Sequence, residues 1–344
     1  MLCATSRLAR YGALTIGLLA SFDAVAQPRT TTPVVKSKTI TILEGTDMAA
    51  TVSPDHKAII MDLQGLLYSM PMTGGAAKQI STPYDEDSHP IWSPKGNIVA
   101  IQSYAGGTFH IWTMLPDGTR RRQITTGHGD DREPSISPDG TTIAFASDRA
   151  FKGSYDIWTV NMATSELRQI TNSDADEFEP AWSPDGTSIA FVSGTGIVGK
   201  SIESIDLASG KQHTIVSIDP AIGRLEAPSF SPDGTRLSYI RYSGSGTVLS
   251  GAQFLVTSAL GGDETLYAGH GQDAFPFPAT WLSKTELLYT GNGHLLHVDL
   301  ATKLETAIPF TAAIQSVRPK YSRKVYDFDS TATQVVKGIF APAL

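Results

Sequence analysis

The chain has 344 residues, of which 41% are hydrophobic and 18% charged, a balance typical of a globular protein that can bury a core. Its formal net charge of −7 and its lack of a lysine- or arginine-rich run exclude a nucleic-acid-binding protein that relies on a basic surface. The single cysteine, Cys3, excludes a disulfide framework and a cysteine-based metal site.

The N-terminus has the pattern of a secretory signal peptide. Arg7 and Arg10 precede an apolar run at 11–20, and Ala24-Val25-Ala26 is a small-x-small cleavage pattern. We predict a signal peptide over 1–26, a linker over 27–35, and a periplasmic or secreted product. Because the apolar run is too short to span a bilayer, no stable membrane anchor is expected after cleavage; a retained anchor is the alternative.

A short phrase built on Ser-Pro-Asp-Gly occurs five times, beginning at Ser53, Ser93, Ser137, Ser183 and Ser231. The steps between these serines are 40, 44, 46 and 48 residues, and a period of this size is typical of a propeller or a solenoid. Within the phrase, proline presets φ, aspartate caps the turn and glycine accepts a positive φ. The phrase therefore predicts a tight turn between two strands of each repeat.

Each repeat carries four short segments with strand character, separated by turn residues, which predicts one antiparallel sheet per repeat. Such a sheet cannot bury both faces alone, so the copies are expected to stack radially. A degraded sixth copy surrounds Trp281. We therefore predict an all-β, six-bladed β-propeller over 36–310, with the strand at 39–43 closing the ring. A seventh blade from 311–344 is the alternative.

The tail over 311–344 ends on Pro342-Ala343-Leu344, which matches the Pro180-Ala181-Trp182 run into a turn. This match identifies the tail as a possible start of a further repeat region. The chain is then either a complete protein with a relic of a repeat or the N-terminal part of a longer one.

The repeat resembles the TolB-type propeller repeat, a relative of the WD-repeat. The resemblance is carried by the run 180–186, by Ile189-Ala190-Phe191, by Asp156-Ile157-Trp158 and by Gln169-Ile170-Thr171, and it covers most of 40–310. It implies the propeller fold. The same repeat occurs in TolB, in peptidases and in sugar-processing enzymes, so it does not identify one function.

A narrower resemblance is to the N-terminal propeller of exported amidohydrolase fusion proteins. It is carried by the runs 62–65, 130–134 and 326–329, with Lys337-Gly338 after the last. In that family a metal-dependent hydrolase domain follows, and this chain does not contain one. TolB itself has an α/β domain before its propeller, for which the linker leaves no room.

Catalytic motifs are absent from the sequence, so we predict that the chain is not an enzyme. The eight histidines include no His-x-His pair of the kind that holds an amidohydrolase metal, and no Gly-x-Ser-x-Gly phrase marks a serine hydrolase. No cofactor is predicted.

Acidic loops precede the second, third and fourth turns and are predicted to ring one mouth of the central channel. The predicted rim residues are Glu86, Asp87, His89, Asp130, Asp131, Glu133, Asp176, Glu177 and Glu179. Converging carboxylates there would suit calcium, which takes six to eight oxygen ligands, or a basic partner surface. The alternative is that each carboxylate caps its own turn or binds the backbone of a neighbouring blade.

The functional hypothesis is an exported, non-catalytic scaffold that binds a protein, an envelope component or another ligand at this acidic mouth. The alternative is the detached N-terminal propeller of an amidohydrolase-type metal-dependent hydrolase. A propeller enzyme acting on sugars or peptides is a third class, which would need additional basic or histidine residues at the axis.

Overall fold

The computed structural model describes residues 37–317, except positions 84, 151–152, 197, 246–247 and 269–272. The predicted signal peptide, the linker and residues 318–344 of the predicted tail lie outside the described residues. One compact unit spans Lys38–Ser316. In the described part of the chain, no helix is long and apolar enough to cross a membrane.

The described secondary structure consists of 26 strands. In chain order they are β1 Ser37–Ile42, β2 Ala50–Val52, β3 Ala58–Leu63, β4 Leu66–Pro71, β5 Gly75–Gln79, β6 Ser88–Trp92, β7 Val99–Ser103, β8 His110–Met114, β9 Arg122–Gln123, β10 Asp131–Ile136, β11 Thr142–Ser147, β12 Asp156–Asn161, β13 Leu167–Gln169, β14 Asp176–Trp182, β15 Ser188–Thr195, β16 Val198–Asp206, β17 Gln212–Ser217, β18 Gly223–Phe230, β19 Arg236–Ser245, β20 Val248–Ser258, β21 Thr265–Ala268, β22 Thr280–Trp281, β23 Glu286–Gly291, β24 His294–Asp299, β25 Leu304–Ile308 and β26 Phe310–Val317.

These strands form six sheets, and each sheet contains an antiparallel four-stranded blade. Blades two to six are β6–β9, β10–β13, β14–β17, β18–β21 and β22–β25, each in simple sequence order. Blade one contains β2–β5 and is extended by two further strands. The predicted all-β, six-bladed propeller is confirmed, and the described residues form no seventh blade.

The repeated turn organises each blade through its serine and aspartate. In blade four, the Ser183 hydroxyl donates to an Asp185 carboxylate oxygen at 2.6 Å and accepts the backbone N–H of Ser188 at 3.0 Å. Gly186 has a φ of +72°, a conformation that costs glycine little. The turn therefore joins β14, the first strand of the blade, to β15, the second, as the phrase predicts. The first strand of each blade, called the inner strand below, is the one that faces the channel.

Neighbouring blades bury their faces against each other. Phe145 of blade three is fully buried in an apolar cluster shared with blade two, and Phe191 of blade four is fully buried in a cluster shared with blade three. Trp182 packs against the same cluster from the inner strand of blade four. Burial between sheets thus replaces a central core, as expected for a sheet that is apolar on both faces.

The last described strand, β26, joins the end of the propeller to its first blade. After blade six, β26 pairs in parallel with β5 of blade one, with Phe310 opposite Gly75, and β1 lies beyond β26 as the outermost strand. The Tyr68 hydroxyl of β4 donates to the Ala313 carbonyl at 3.1 Å. The strand at 39–43 thus lies at the outer edge of blade one, while the pairing of β26 with β5 joins the two ends of the propeller.

We expect Ser183→Ala to lower the free energy of unfolding by about 1–2 kcal/mol, because the substitution leaves the Ser188 N–H without its acceptor. Urea denaturation of the purified propeller measures the change. The control is Ser217→Ala on the exposed end of β17. Equal stability of the two variants would show that the serine of the repeat does not support the turn.

Candidate ligand-binding channel

The nine predicted rim residues fall into three rows, according to their position in the repeat. The first row is Glu86, Asp130 and Asp176, the second is Asp87, Asp131 and Glu177, and the third is His89, Glu133 and Glu179. The rows differ in burial and partners, and only the third row lines the axial cavity. The structure therefore does not bring all nine residues together at one surface.

The second row lies inside the blades. Asp131 is fully buried and is held by Arg149 Nη2 at 2.6 Å, by the Ser147 hydroxyl at 2.6 Å and by His110 Nδ1 at 3.1 Å. Asp87 is also fully buried and binds both terminal nitrogens of Arg121, at 2.8 and 3.0 Å. Asp87 therefore ties strands of blade two together, whereas Asp131 ties strands of blade three together and also contacts His110 on β8 of blade two.

Glu177 completes the second row in blade four. Its carboxylate accepts a hydrogen bond from the Ser173 hydroxyl at 2.8 Å, and its side chain is buried. In blade four a serine hydroxyl thus binds the second-row carboxylate. In blades two and three the equivalent carboxylates bind arginine.

The first row lies at the outer surface of the same end of the propeller. Asp130 accepts the Phe109 N–H at 3.0 Å, and Asp176 accepts the Tyr155 N–H at 3.1 Å, each from the preceding blade. Glu86 is exposed. Asp130 and Asp176 therefore act as links between adjacent blades, which is the alternative that the sequence left open for them.

The third row owes its position to a local bulge. His89, Glu133 and Glu179 each precede a proline and have φ between +52° and +55°, and the pairing of the inner strand shifts register there. A bulge of this kind re-aims the side chain relative to regular alternation. The same bulge recurs at Ala227 of blade five, where φ is +61°. In blades two, three and four it directs three polar side chains into one channel.

A chain of side-chain to backbone hydrogen bonds runs around the axis from blade to blade. Asp62 accepts the His89 N–H at 2.9 Å, and Gln102 accepts the Glu133 N–H at 2.8 Å. Glu133 then accepts the Glu179 N–H at 2.7 Å, and Glu179 accepts the N–H of Ala227. The third-row carboxylates of blades three and four therefore hold the next blade as well as lining the channel.

Two cavities follow the channel axis. An axial cavity of 280 Å³ is lined by residues of all six inner strands or the loops before them, including Trp92, Trp182 and Trp281. A mouth cavity of 580 Å³ lies at the end where the inner strands begin. Four residues line both cavities, namely His89, Glu133, Glu179 and Phe277.

None of the mouth cavity's six other charged and aromatic residues was among the predicted nine. They are Asp47, Arg132, Tyr155, Phe178, Arg224 and Glu226. Arg132 and Phe178 are neighbours of third-row residues in sequence, so the bulge pattern could have indicated them. Asp47 and Tyr155 come from other loops, and only the packing of the blades brings them to the axis.

Burial dominates the electrostatics of the channel. It raises the pKa of Glu226 to about 7, with Glu133 and Asp47 adding repulsion. Burial also raises the pKa of Glu133 and, together with Glu133 and Glu226, that of Glu179. The pKa of His89 is lowered to about 4 by burial and by the charge of Arg132. The channel therefore holds a neutral imidazole and carboxyl groups that ionise reluctantly near neutral pH.

In the part of the chain that the structure describes, no three His, Cys, Asp or Glu side chains are placed to hold a metal ion. The carboxylates that the sequence placed on one rim lie in three separate rows, and this separation explains why no metal-binding cluster forms among them. Calcium at the rim thus has no geometric support from these residues.

A family model described as the TolB beta propeller domain matches residues 66–259, more than half of the chain. A search of curated protein sequences gave no match. TolB from Acinetobacter baumannii is similar in structure at a TM-score of 0.58 and 18% identity, over 78% of this chain and 68% of that one.

Solved structures of proteins with other names share the fold. A chain of a nidogen/laminin complex has a TM-score of 0.56 and 13% identity, covering 80% of this chain and 98% of that one. An oligogalacturonate lyase in complex with manganese has a TM-score of 0.52 and 11% identity, covering 85% and 88%. At these identities the likenesses show the fold alone. The narrower resemblance to amidohydrolase fusion proteins stays a prediction.

We expect Arg149→Gln to destabilise the propeller by about 3–5 kcal/mol, because it leaves the buried carboxylate of Asp131 without its cation. Thermal and urea unfolding measure the loss. The matched control is Arg168→Gln, which removes an exposed guanidinium from β13. A cost below about 1 kcal/mol, the range of a surface ion pair, would contradict a structural role for the second row.

Acid should destabilise the propeller through His89. Its pKa is near 4 in the fold against an unperturbed value near 6.5, so between these values the unfolded chain binds more protons and stability falls as pH falls. We expect the loss between pH 7 and pH 4.5 to be smaller by about 2 kcal/mol in His89→Asn than in the wild type. Urea unfolding at both pH values checks this. The control is His213→Asn on exposed β17; a loss unchanged in His89→Asn would refute the assignment to His89.

Proposed function

Since the chain belongs to the TolB β-propeller domain family, we propose that it is an exported, non-catalytic scaffold that binds a protein or another ligand at the mouth cavity. The observation that carries the proposal is the repeated bulge, which turns Glu133 and Glu179 from two adjacent blades onto one channel wall. Export is inferred from the signal-peptide pattern over 1–26, and it places the scaffold in the periplasm or outside the cell.

The shape of the site supports binding. Ligand sites are concave, mostly apolar and provided with a few convergent polar groups. The two cavities, which share four lining residues, combine aromatic side chains with carboxylates. Two other cavities have a more basic lining, one with three lysines and two aspartates and one with Arg120 and Arg122, so neither gathers carboxylates from several blades. The mouth is thus the part of the propeller best suited to a partner.

The partner class follows from the charge. Carboxylates outnumber guanidinium groups in the mouth lining, which favours a basic or neutral group over an anionic one. The structurally similar chain of the nidogen/laminin complex comes from a protein–protein complex, in line with a propeller acting as a docking module. The amidohydrolase-type alternative rests on the sequence resemblance only.

The test is to compare partners captured by matched variants of the chain beginning at Gln27. The double variant Glu133→Gln/Glu179→Gln keeps an amide oxygen for each backbone N–H but removes both charges. The control, Glu166→Gln, removes a carboxylate from an exposed turn. We expect species crosslinked to the wild type and the control in envelope extracts to be lost from the double variant.

Identical crosslinked species for all three proteins, with equal thermal stability, would overturn binding at the mouth. Fractionation of cells expressing the full chain tests export separately. Recovery of the protein in the cytoplasm with its N-terminus intact would contradict the exported scaffold.

A further inference from the structure

The mouth cavity has aromatic walls contributed by several blades. Tyr155 and Phe178 lie with their ring centres 5.1 Å apart and a tilt of 40°. His89 and Phe277 meet edge to face at 5.0 Å, although they come from blades two and six, which are not neighbours in the ring. All four side chains line the cavity. A ligand in the mouth therefore meets aromatic surface contributed by blades two, three, four and six.

The cationic groups of the cavity are already paired. Arg132 binds Asp130 through Nη2 at 2.6 Å, and Arg224 Nε lies 2.6 Å from a carboxylate oxygen of Glu226. Their positive charges are thus largely neutralised by partners within the protein. Neither guanidinium is placed as a free receptor for an anionic ligand.

The carboxylates, in contrast, exceed the cations available to them. Among the described residues no lysine or arginine forms an ion pair with Asp47, Glu133 or Glu179, whereas all three line the cavity. The cavity therefore combines aromatic side chains with more carboxyl groups than guanidinium groups. In the described part of the chain, three buried polar atoms of its lining residues have no hydrogen-bond partner, namely Glu226 Oε2, His89 Nδ1 and Arg224 Nε.

On the basis of the proposed function, we propose that the mouth cavity binds an organic cation, either an alkylated ammonium or the basic side chain of a partner. Aromatic faces attract cations through the ring quadrupole, and the attraction is greatest when the cation is desolvated. A cavity of 580 Å³ is large enough for such a group together with part of the molecule that carries it. The carboxylates supply the balancing charge.

The same cavity is poorly suited to a hard metal ion. Calcium takes six to eight oxygens, and the described residues offer no cluster of three potential metal ligands. The rings of His89, Phe178 and Phe277 in the lining offer no oxygen ligand. The balance of π faces and separated carboxylates therefore favours a large, weakly hydrated cation.

Proton release should accompany binding. The charged or titratable groups facing the cavity are Asp47, His89, Arg132, Glu133, Tyr155, Glu179, Arg224 and Glu226. Burial raises the pKa of Glu226 to about 7 and also raises that of Glu133 and Glu179, while His89 stays neutral above about pH 5. A bound cation stabilises the ionised carboxylates, so affinity should increase as pH rises from 5.5 to 8.

The proposal is tested by isothermal titration calorimetry of the chain beginning at Gln27. The two ligands are choline chloride and its uncharged isostere 3,3-dimethylbutan-1-ol. We expect choline to bind at least about tenfold more tightly than the isostere at pH 8, and more weakly at pH 5.5. A second arm uses a short lysine- and arginine-containing peptide and its acetylated, citrulline-substituted analogue. This arm distinguishes a basic side chain from a small free cation.

Variants locate the site. Glu179→Gln/Glu226→Gln should weaken binding of the cation at least about tenfold, and Phe178→Leu should weaken it while retaining apolar volume. Glu166→Gln should leave it unchanged. The comparison of choline with its isostere uses only the wild type, so it tests the proposal even if a variant fails to fold.

Preference for either cationic probe over its neutral analogue, lost in the mouth variants, supports the proposal and identifies the source of the cation. Equal binding of charged and neutral probes, or binding of neither cation, overturns it. If partner capture still depends on Glu133 and Glu179 in that case, the scaffold function stands without the cation site. If a cation binds but capture is independent of the mouth, the scaffold function fails instead.

Discussion

Burial of both faces of every blade is the constraint on which this structure depends. A four-stranded antiparallel sheet leaves two apolar faces, and each is covered only by the neighbouring blade. The ring must therefore close without an uncovered blade. Here the pairing of β26 with β5 brings the end of the propeller back to its first blade, and Tyr68 adds a hydrogen bond from blade one to β26. The channel exists because six inner strands surround the axis.

The site arises from the same contacts that hold the blades in place. Glu133 and Glu179 accept hydrogen bonds from backbone N–H groups of the following blades. These hydrogen bonds hold the two carboxylates at the axis, although burial of a charged group costs free energy. The cost is visible in their raised pKa values and in that of Glu226. A partner that carries positive charge would relieve it, so the stability of the propeller and its binding function are linked through the same side chains.

The repeat made the blade architecture predictable. The serine, aspartate and glycine of the turn act locally, so the phrase at Ser183 predicts its own hydrogen bonds. The acidic loops were harder to interpret. In a regular strand, residues 131 and 133 would point to the same face, but the bulge at Glu133 separates them. Asp131 therefore enters the blade and Glu133 the channel, although both are acidic and close in sequence.

By itself, the sequence determined the period, the turns and the alternating strands, because each depends on residues within a few positions of one another. The tertiary structure decided which carboxylates meet. Asp47, Glu133, Glu179 and Glu226 lie in different repeats, and only the circular stacking of blades brings them to one cavity. Phe277 reaches His89 across the channel for the same reason. Burial and charge at the axis are properties of the closed ring, since no single repeat contains the groups that produce them.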